Sequence, residues 1–250
     1  MILSGHLQHT YRKLILRYSE RMDIQLIARS DCPEAEELQA SVAQAMQALG
    51  IPPDVPLRAS EASADPCLQL LVNGTPVCPC FPSKKAEACP TCGEIHDNPD
   101  REIIRWHLAE ALGRKTVLFL CSGNAVRSQM AEAIVNHVLG DKWAAFSGGI
   151  FPMTLWKPVV QVLKEIGIDA RGRQSKHIEL FLGCHFDIII SLCSKSDDFC
   201  TAFPGQGVRK HMPFEDPVTS PFFGVGDLGR TRDLRNDMRD SICQYLGDIP

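Results

Sequence analysis

The sequence predicts an α/β protein of two domains. The chain has 250 residues, more than the usual single domain of about 100 to 200. Short apolar runs alternate with amphipathic stretches of helical period along most of it, as strands and helices that cover one another do. Gly113 to Lys115 separates two such successions. This gives an N-terminal extension at 1–22, a first domain at 23–113 and a second at 116–250.

Composition narrows the function classes. The chain is 44% hydrophobic and 22% charged, as ordinary globular proteins are. A net charge of -4 argues against a general nucleic-acid binder. No stretch reaches the ~20 apolar residues of a membrane span, and no signal-peptide pattern opens the chain. A reducing cytoplasm is the expected setting, with no membrane partner. There, the 11 cysteines point to metal binding or thiol chemistry rather than structural disulfides.

In the first domain, a strand over Ile24 to Ala28 leads to Ser30-Asp31-Cys32-Pro33. Ser30 or Asp31 is expected to cap the next helix, and Pro33 suits its first turn. Leu38, Val42, Ala45, Met46 and Leu49 recur at helical spacing up to Gly50. Short strands are expected at Val55 to Ala59 and Cys67 to Val72. Asn73-Gly74 then signals a hairpin into Thr75 to Val77. After a Cys-rich loop at 78–92, Ile103, Ile104, His107, Leu108 and Leu112 mark a helix closed by Gly113. The order βαβ, hairpin, helix resembles the thioredoxin-like fold, with Cys32-Pro33 where that family keeps its redox motif and Pro66 where it keeps a cis-proline. Cys32-Pro33-Glu34-Ala35 lacks the second cysteine, so a dithiol cycle within that motif is impossible.

The second domain reads as strands at Val117 to Leu120, Ala144 to Ser147, Asp187 to Leu192 and Val208 to Met212. Helices are expected from Ser128 to Leu139, from Pro158 past Leu163, and over Leu228 to Leu246, with a short helical piece near Ile178 to Leu182. Strands alternating with helices imply a parallel sheet covered on both faces.

Its first strand runs into Cys121-Ser122-Gly123-Asn124-Ala125-Val126-Arg127-Ser128. A C-x5-R-S loop between strand and helix suits a tetrahedral oxyanion. Backbone N–H groups from Ser122 to Arg127 converge at the helix N-terminus, and Arg127 adds a bidentate fork. Cys121 lies beneath the anion in a positive setting that favours its thiolate, and Ser128 can donate a hydrogen bond to it. Asp216, in Asp216-Pro217-Val218, is the expected general acid, with Glu215 its neighbouring rival.

From Thr116 to Tyr245 the sequence resembles the low-molecular-weight tyrosine phosphatase fold, and more closely its thiol-coupled arsenate reductases. The loop, Ser147-Gly148-Gly149, Ser175-Lys176-His177 and Cys193-(x6)-Cys200 carry the likeness. The resemblance implies reduction of arsenate to arsenite for arsenic detoxification. Cys121 would be the nucleophile and Cys193 the first resolving thiol. Cys200 would be the final one, with thioredoxin or a similar reductant as partner and no cofactor for the chemistry. A helical 193–200 segment would hold the two Cα atoms about 10 Å apart, too far for a disulfide, so that segment must be looped or melt in turnover.

Cys78, Cys80, Cys89 and Cys92 form a C-x-C-x8-C-x2-C cluster that could close a structural zinc site, handle metalloid or redox chemistry, or be plain loop cysteines. Cys32 and Cys67 are possible auxiliary thiols, and Cys184 and Cys243 read as packing residues. The alternative functions are a tyrosine phosphatase and a thiol-rich metal or metalloid binder.

Overall fold

The computed structural model describes residues 22–28, 30, 32–52, 57–61, 68–77, 99–193, 203–218 and 228–249. The chain divides into two compact units, Met1–Arg114 and Lys115–Pro250.

In the first unit, β1 (Ile24–Ala28) lies parallel to β2 (Leu57–Glu61) and antiparallel to β3 (Leu68–Val72). The last of these turns back into β4 (Thr75–Pro76), for a sheet order β2-β1-β3-β4. The Asn73-Gly74 turn has φ of 52° and 76°, the left-handed pair that a two-residue hairpin requires. Helix α1 (Ala35–Ala48) buries Leu38, Val42, Ala45 and Met46, and packs against α2 (Arg101–Ala111). Asp100 caps α2 by accepting from the Glu102 N–H at 2.7 Å, and Gly113 at φ 68° ends the following turn. This mixed sheet with helices is consistent with a thioredoxin-like arrangement.

Two local expectations are corrected. Helix α1 starts two residues beyond Pro33, with Glu34 at its N-cap and no side-chain cap bond. The Ala35 N–H bonds back to the Cys32 carbonyl at 3.3 Å, so Cys32 to Ala35 form a turn before the helix and Ser30 does not cap it. Strand β2 lies two residues later than its apolar residues suggest, because parallel register pairs Ile24 with Leu57 and Ala28 with Glu61.

The second unit is a four-stranded parallel sheet, β6-β5-β7-β8. Its strands are β5 (Lys115–Cys121), β6 (Trp143–Gly149), β7 (Ile188–Ser191) and β8 (Val208–His211). Both faces of β5 are buried, as its unbroken apolar run predicts. Val117 and Phe119 join Met130 and Ile134 of α3 (Arg127–Val138), Val159 and Leu163 of α4 (Lys157–Lys164), and Met238 and Ile242 of α5 (Leu228–Gly247) in one core. Across the sheet, Phe146, Phe181 and Phe186 meet edge to face at 5.6 to 6.0 Å, a geometry favoured by aromatic quadrupoles. Phe181 closes a 3-10 turn, Ile178–Phe181.

The chain leaves β5 to one side for β6 and returns on the other side as β7. The carboxyl ends of β5 and β7 therefore flank a topological switch point, where open α/β sheets bind ligands.

Candidate active site

Cys121 is the last residue of β5 and α3 begins at Arg127, so the intervening loop joins strand to helix as the sequence predicts. Asn124 takes a left-handed φ of 44°, one of the few side chains that tolerates it, and the turn it makes carries the chain towards α3. The loop sits hard against Gly149, where a Cβ would lie 2.7 Å from the Asn124 nitrogen and 2.9 Å from the Ser122 carbonyl oxygen.

The Cys121 thiol is a free, buried group with Ser128 Oγ at 2.8 Å. Cys193, two residues beyond β7, is 1% exposed and forms a buried pair with Cys121. Its sulfur is already in a disulfide, so the Ser122 hydroxyl 3.5 Å away is the donor in their contact. Cys32, Cys184 and Cys243 are likewise free. Cys200, Cys67, Cys78, Cys80, Cys89 and Cys92 all lie outside the described residues, so the zinc expectation falls there too. Among the described residues no group of three His, Cys, Asp or Glu side chains could hold a metal ion.

Arg127 is buried. One guanidinium nitrogen pairs with Asp216 Oδ2 at 3.0 Å and another donates to the Phe214 carbonyl at 3.4 Å, while its Nε is buried without a hydrogen-bond partner. An unpaired buried donor costs about 1 to 3 kcal/mol, so an acceptor bound beside it would be favoured. Asp216 Oδ1 accepts from the Val218 N–H at 3.0 Å, which holds the carboxylate over the loop. Glu215 is 96% exposed and turns towards Arg230 instead. Of the two acids, only Asp216 lines the pocket.

That pocket has a volume of about 380 Å³. The anion loop and Arg127 floor it, and Met153, Thr154, Trp156 and Val218 form its walls. The wall segment is joined to the loop by backbone bonds: Phe151 N–H to Ser122 O at 2.9 Å, Met153 N–H to Gly123 O at 2.9 Å, and Trp156 N–H to Ala125 O at 3.1 Å. These walls carry no sequence signal, because 150–156 has neither helical nor strand periodicity.

A buried polar network stands behind the loop. Asn124 Nδ2 donates to Ser128 Oγ and to Ser147 Oγ, each at 2.9 Å. Ser147 donates on to Glu132. Glu132 is held between Arg173 at 2.7 Å and Lys176 at 3.0 Å.

Residues 116–218 match the low molecular weight phosphotyrosine protein phosphatase family. Arsenate reductase 2 of Staphylococcus haemolyticus (strain JCSC1435) is 34% identical over 122 residues, 49% of this chain and 91% of the staphylococcal protein. Through its C-terminal unit, the chain belongs to this phosphatase family. A second family relative, the arsenate reductase of Bacillus cereus (strain 03BB102), is 38% identical over 132 residues, 53% of this chain and 94% of that protein. Among solved structures, the arsenate reductase from Archaeoglobus fulgidus DSM 4304 is 25% identical with a TM-score of 0.45, covering 53% of this chain and 99% of its own. No helix among the described residues is long and apolar enough to cross a membrane.

Proposed function

We propose that the C-terminal unit reduces arsenate to arsenite by a thiol relay, in arsenic detoxification. The observation that carries this reading is the buried Cys121 and Cys193 pair at the switch point. Hydrolysis of a phosphoester needs one thiol and a water. Reduction of As(V) to As(III) needs two electrons, and two adjacent thiols supply them. The two relatives at 34% and 38% identity, both arsenate reductases, support the same choice.

Arsenate enters the loop and takes the free Nε–H of Arg127. The Cys121 thiolate attacks arsenic, and a hydroxyl leaves as water with the proton of Asp216. The Cys193 thiolate then attacks Cys121 Sγ. An S–S bond forms, the S–As bond breaks, and its electron pair departs on arsenic as arsenite. Cys200 attacks Cys193, a Cys193 to Cys200 disulfide forms, and Cys121 is freed as a thiolate. An external dithiol such as thioredoxin re-reduces the chain.

One observation favours a second reading. The apolar walls Met153, Trp156 and Val218 extend beyond what an inorganic oxyanion fills and suit an aryl phosphate, the substrate of a tyrosine phosphatase. Arsenite formation with thioredoxin and its reductase separates the two. Reduction should be catalytic in the wild type and lost in Cys193→Ser. Aryl phosphate hydrolysis without arsenate turnover, indifferent to Cys193→Ser, overturns the reductase reading.

A further inference from the structure

Met153 is the one exposed methionine among the described residues. It is 51% exposed, whereas Met22, Met46, Met130 and Met238 are exposed by 6% or less and Met212 packs half-buried against the core. Its main chain is nevertheless pinned: the Met153 N–H donates to the Gly123 carbonyl at 2.9 Å, and Ser175 Oγ contacts the Met153 carbonyl. The side chain lies on the anion loop. A Cβ on Gly123 would meet Met153 Sδ at 3.2 Å and its Cγ at 3.5 Å, and both residues line the pocket of about 380 Å³. An accessible thioether thus stands at the mouth of the anion cradle, on a backbone that does not let it withdraw. A thioether offers a bound oxyanion neither a donor nor a charge.

Oxidation changes that chemistry. A lone pair of Sδ attacks hydrogen peroxide, an S–O bond forms and the O–O bond breaks. The sulfur is oxidised by two electrons to the sulfoxide, and the second peroxide oxygen leaves as water. An apolar side chain becomes a polar one that ends in a strong acceptor. Gly123 crowds one side of the sulfur too closely even for a methyl group, so the new oxygen takes the open side, in the pocket mouth. There its partial negative charge opposes an entering oxyanion and competes for the donors that would hold it. Peroxide also meets the Cys121 thiol, but thiols return a sulfenic acid or a disulfide, whereas a sulfoxide needs a methionine sulfoxide reductase. Two oxidations at one pocket are therefore undone by different reductants.

We propose that Met153 is a reversible oxidation site whose sulfoxide lowers the affinity of the loop for its oxyanion. The inference rests on the loop binding a tetrahedral oxyanion and not on which one is turned over.

The test oxidises the full-length protein with hydrogen peroxide and then restores its thiols with dithiothreitol, which leaves a sulfoxide in place. Peptide mass spectrometry follows Met153 and Cys121, and calorimetry measures the binding of inorganic phosphate. Met153 should be oxidised ahead of Met22, Met46, Met130 and Met238. Phosphate should then bind at least about threefold more weakly, the loss of part of one hydrogen bond, and methionine sulfoxide reductases for both epimers should return the starting affinity. Met153→Leu conserves volume and, whatever its own affinity, should not change it on the same treatment. Met153→Gln carries an oxygen without any oxidant and should bind phosphate at least about threefold more weakly than Met153→Leu. Where Cys121 has gone on to the sulfinic acid, the comparison of these two variants decides. A smaller loss overturns the proposal, and so does one shared by Met153→Leu or left unrepaired by the reductases. Absence of phosphate binding in untreated protein overturns the cradle and this inference together. Peroxide-sensitive phosphate binding alongside absent arsenate turnover would sink the reductase reading and leave this one standing.

Discussion

Gly149→Ala inserts one methyl group into the tight space between β6 and the loop. The new Cβ would stand 2.7 Å from the Asn124 nitrogen, 2.9 Å from its Cβ and 2.9 Å from the Ser122 carbonyl oxygen. Two of these atoms are backbone, so no side-chain rotation relieves the contact. Recovering ordinary separation moves the loop by roughly half an ångström or more, at a cost of about 1 to 3 kcal/mol. A 1 Å misplacement of reacting groups costs about a hundredfold in rate, so turnover should fall between about tenfold and a hundredfold. Thermal unfolding, phosphate binding by calorimetry and alkylation of Cys121 read the stability, the cradle and the thiol separately. All three should worsen together. Gly172→Ala is the control, because its φ of 75° makes a side chain strained while nothing stands within 4 Å; it should lower stability and leave the site alone. If Gly149→Ala melts with wild type and binds phosphate equally well, the close approach of β6 does not shape the loop and the reasoning fails.

Three further outcomes are expected. Asp216→Asn removes both a proton donor and a negative charge beside Arg127, so turnover should drop about 10² to 10⁴-fold while phosphate binds as well or better; weaker phosphate binding would mean that Asp216 shapes the cradle instead. Ser128→Ala deletes the hydroxyl 2.8 Å from Cys121 and should slow both alkylation and turnover about tenfold with KM nearly unchanged, which steady-state kinetics and peptide mass spectrometry will check. Burial lowers His107 from its ordinary value, so the unfolded chain takes this proton first as pH falls. The stability His107 contributes is therefore complete above about pH 6.5 and is lost as pH drops through the folded value. Urea unfolding of wild type and His107→Gln between pH 7.5 and 5 should show a shallower acid loss in the variant, and parallel curves would refute the assignment.

The nucleophile loop was legible because its chemistry is local. Spacing, with its place between an expected strand and an expected helix, puts Cys121, Arg127 and Ser128 around one turn, and the short apolar run 188–190 reads as a buried strand. The general acid needed more, since Asp216 and Glu215 are neighbours that only the fold distinguishes. Lys176 meets Glu132 across 44 residues, and no local pattern encodes that contact. Arg173 lies two residues from Arg171, yet Arg171 pairs at the surface with Asp169 while Arg173 turns inward. Strand β2 was misplaced for a related reason: its position is set by register against β1, which its own residues do not specify.

Strand β5 comes first in its unit but lies between β6 and β7, and this has a consequence for how the thiol becomes dangerous to its neighbours. Parallel partners arrive only through crossovers, so both contacts of β5 are distant in sequence and late in folding. On a growing chain Cys121 is an ordinary thiol until β6 brings Gly149 against the loop. It meets Cys193 only when β7 docks on the other side. In a chain of 11 cysteines, the setting of Cys121 is thus complete only when the strands on both sides of β5 are in place.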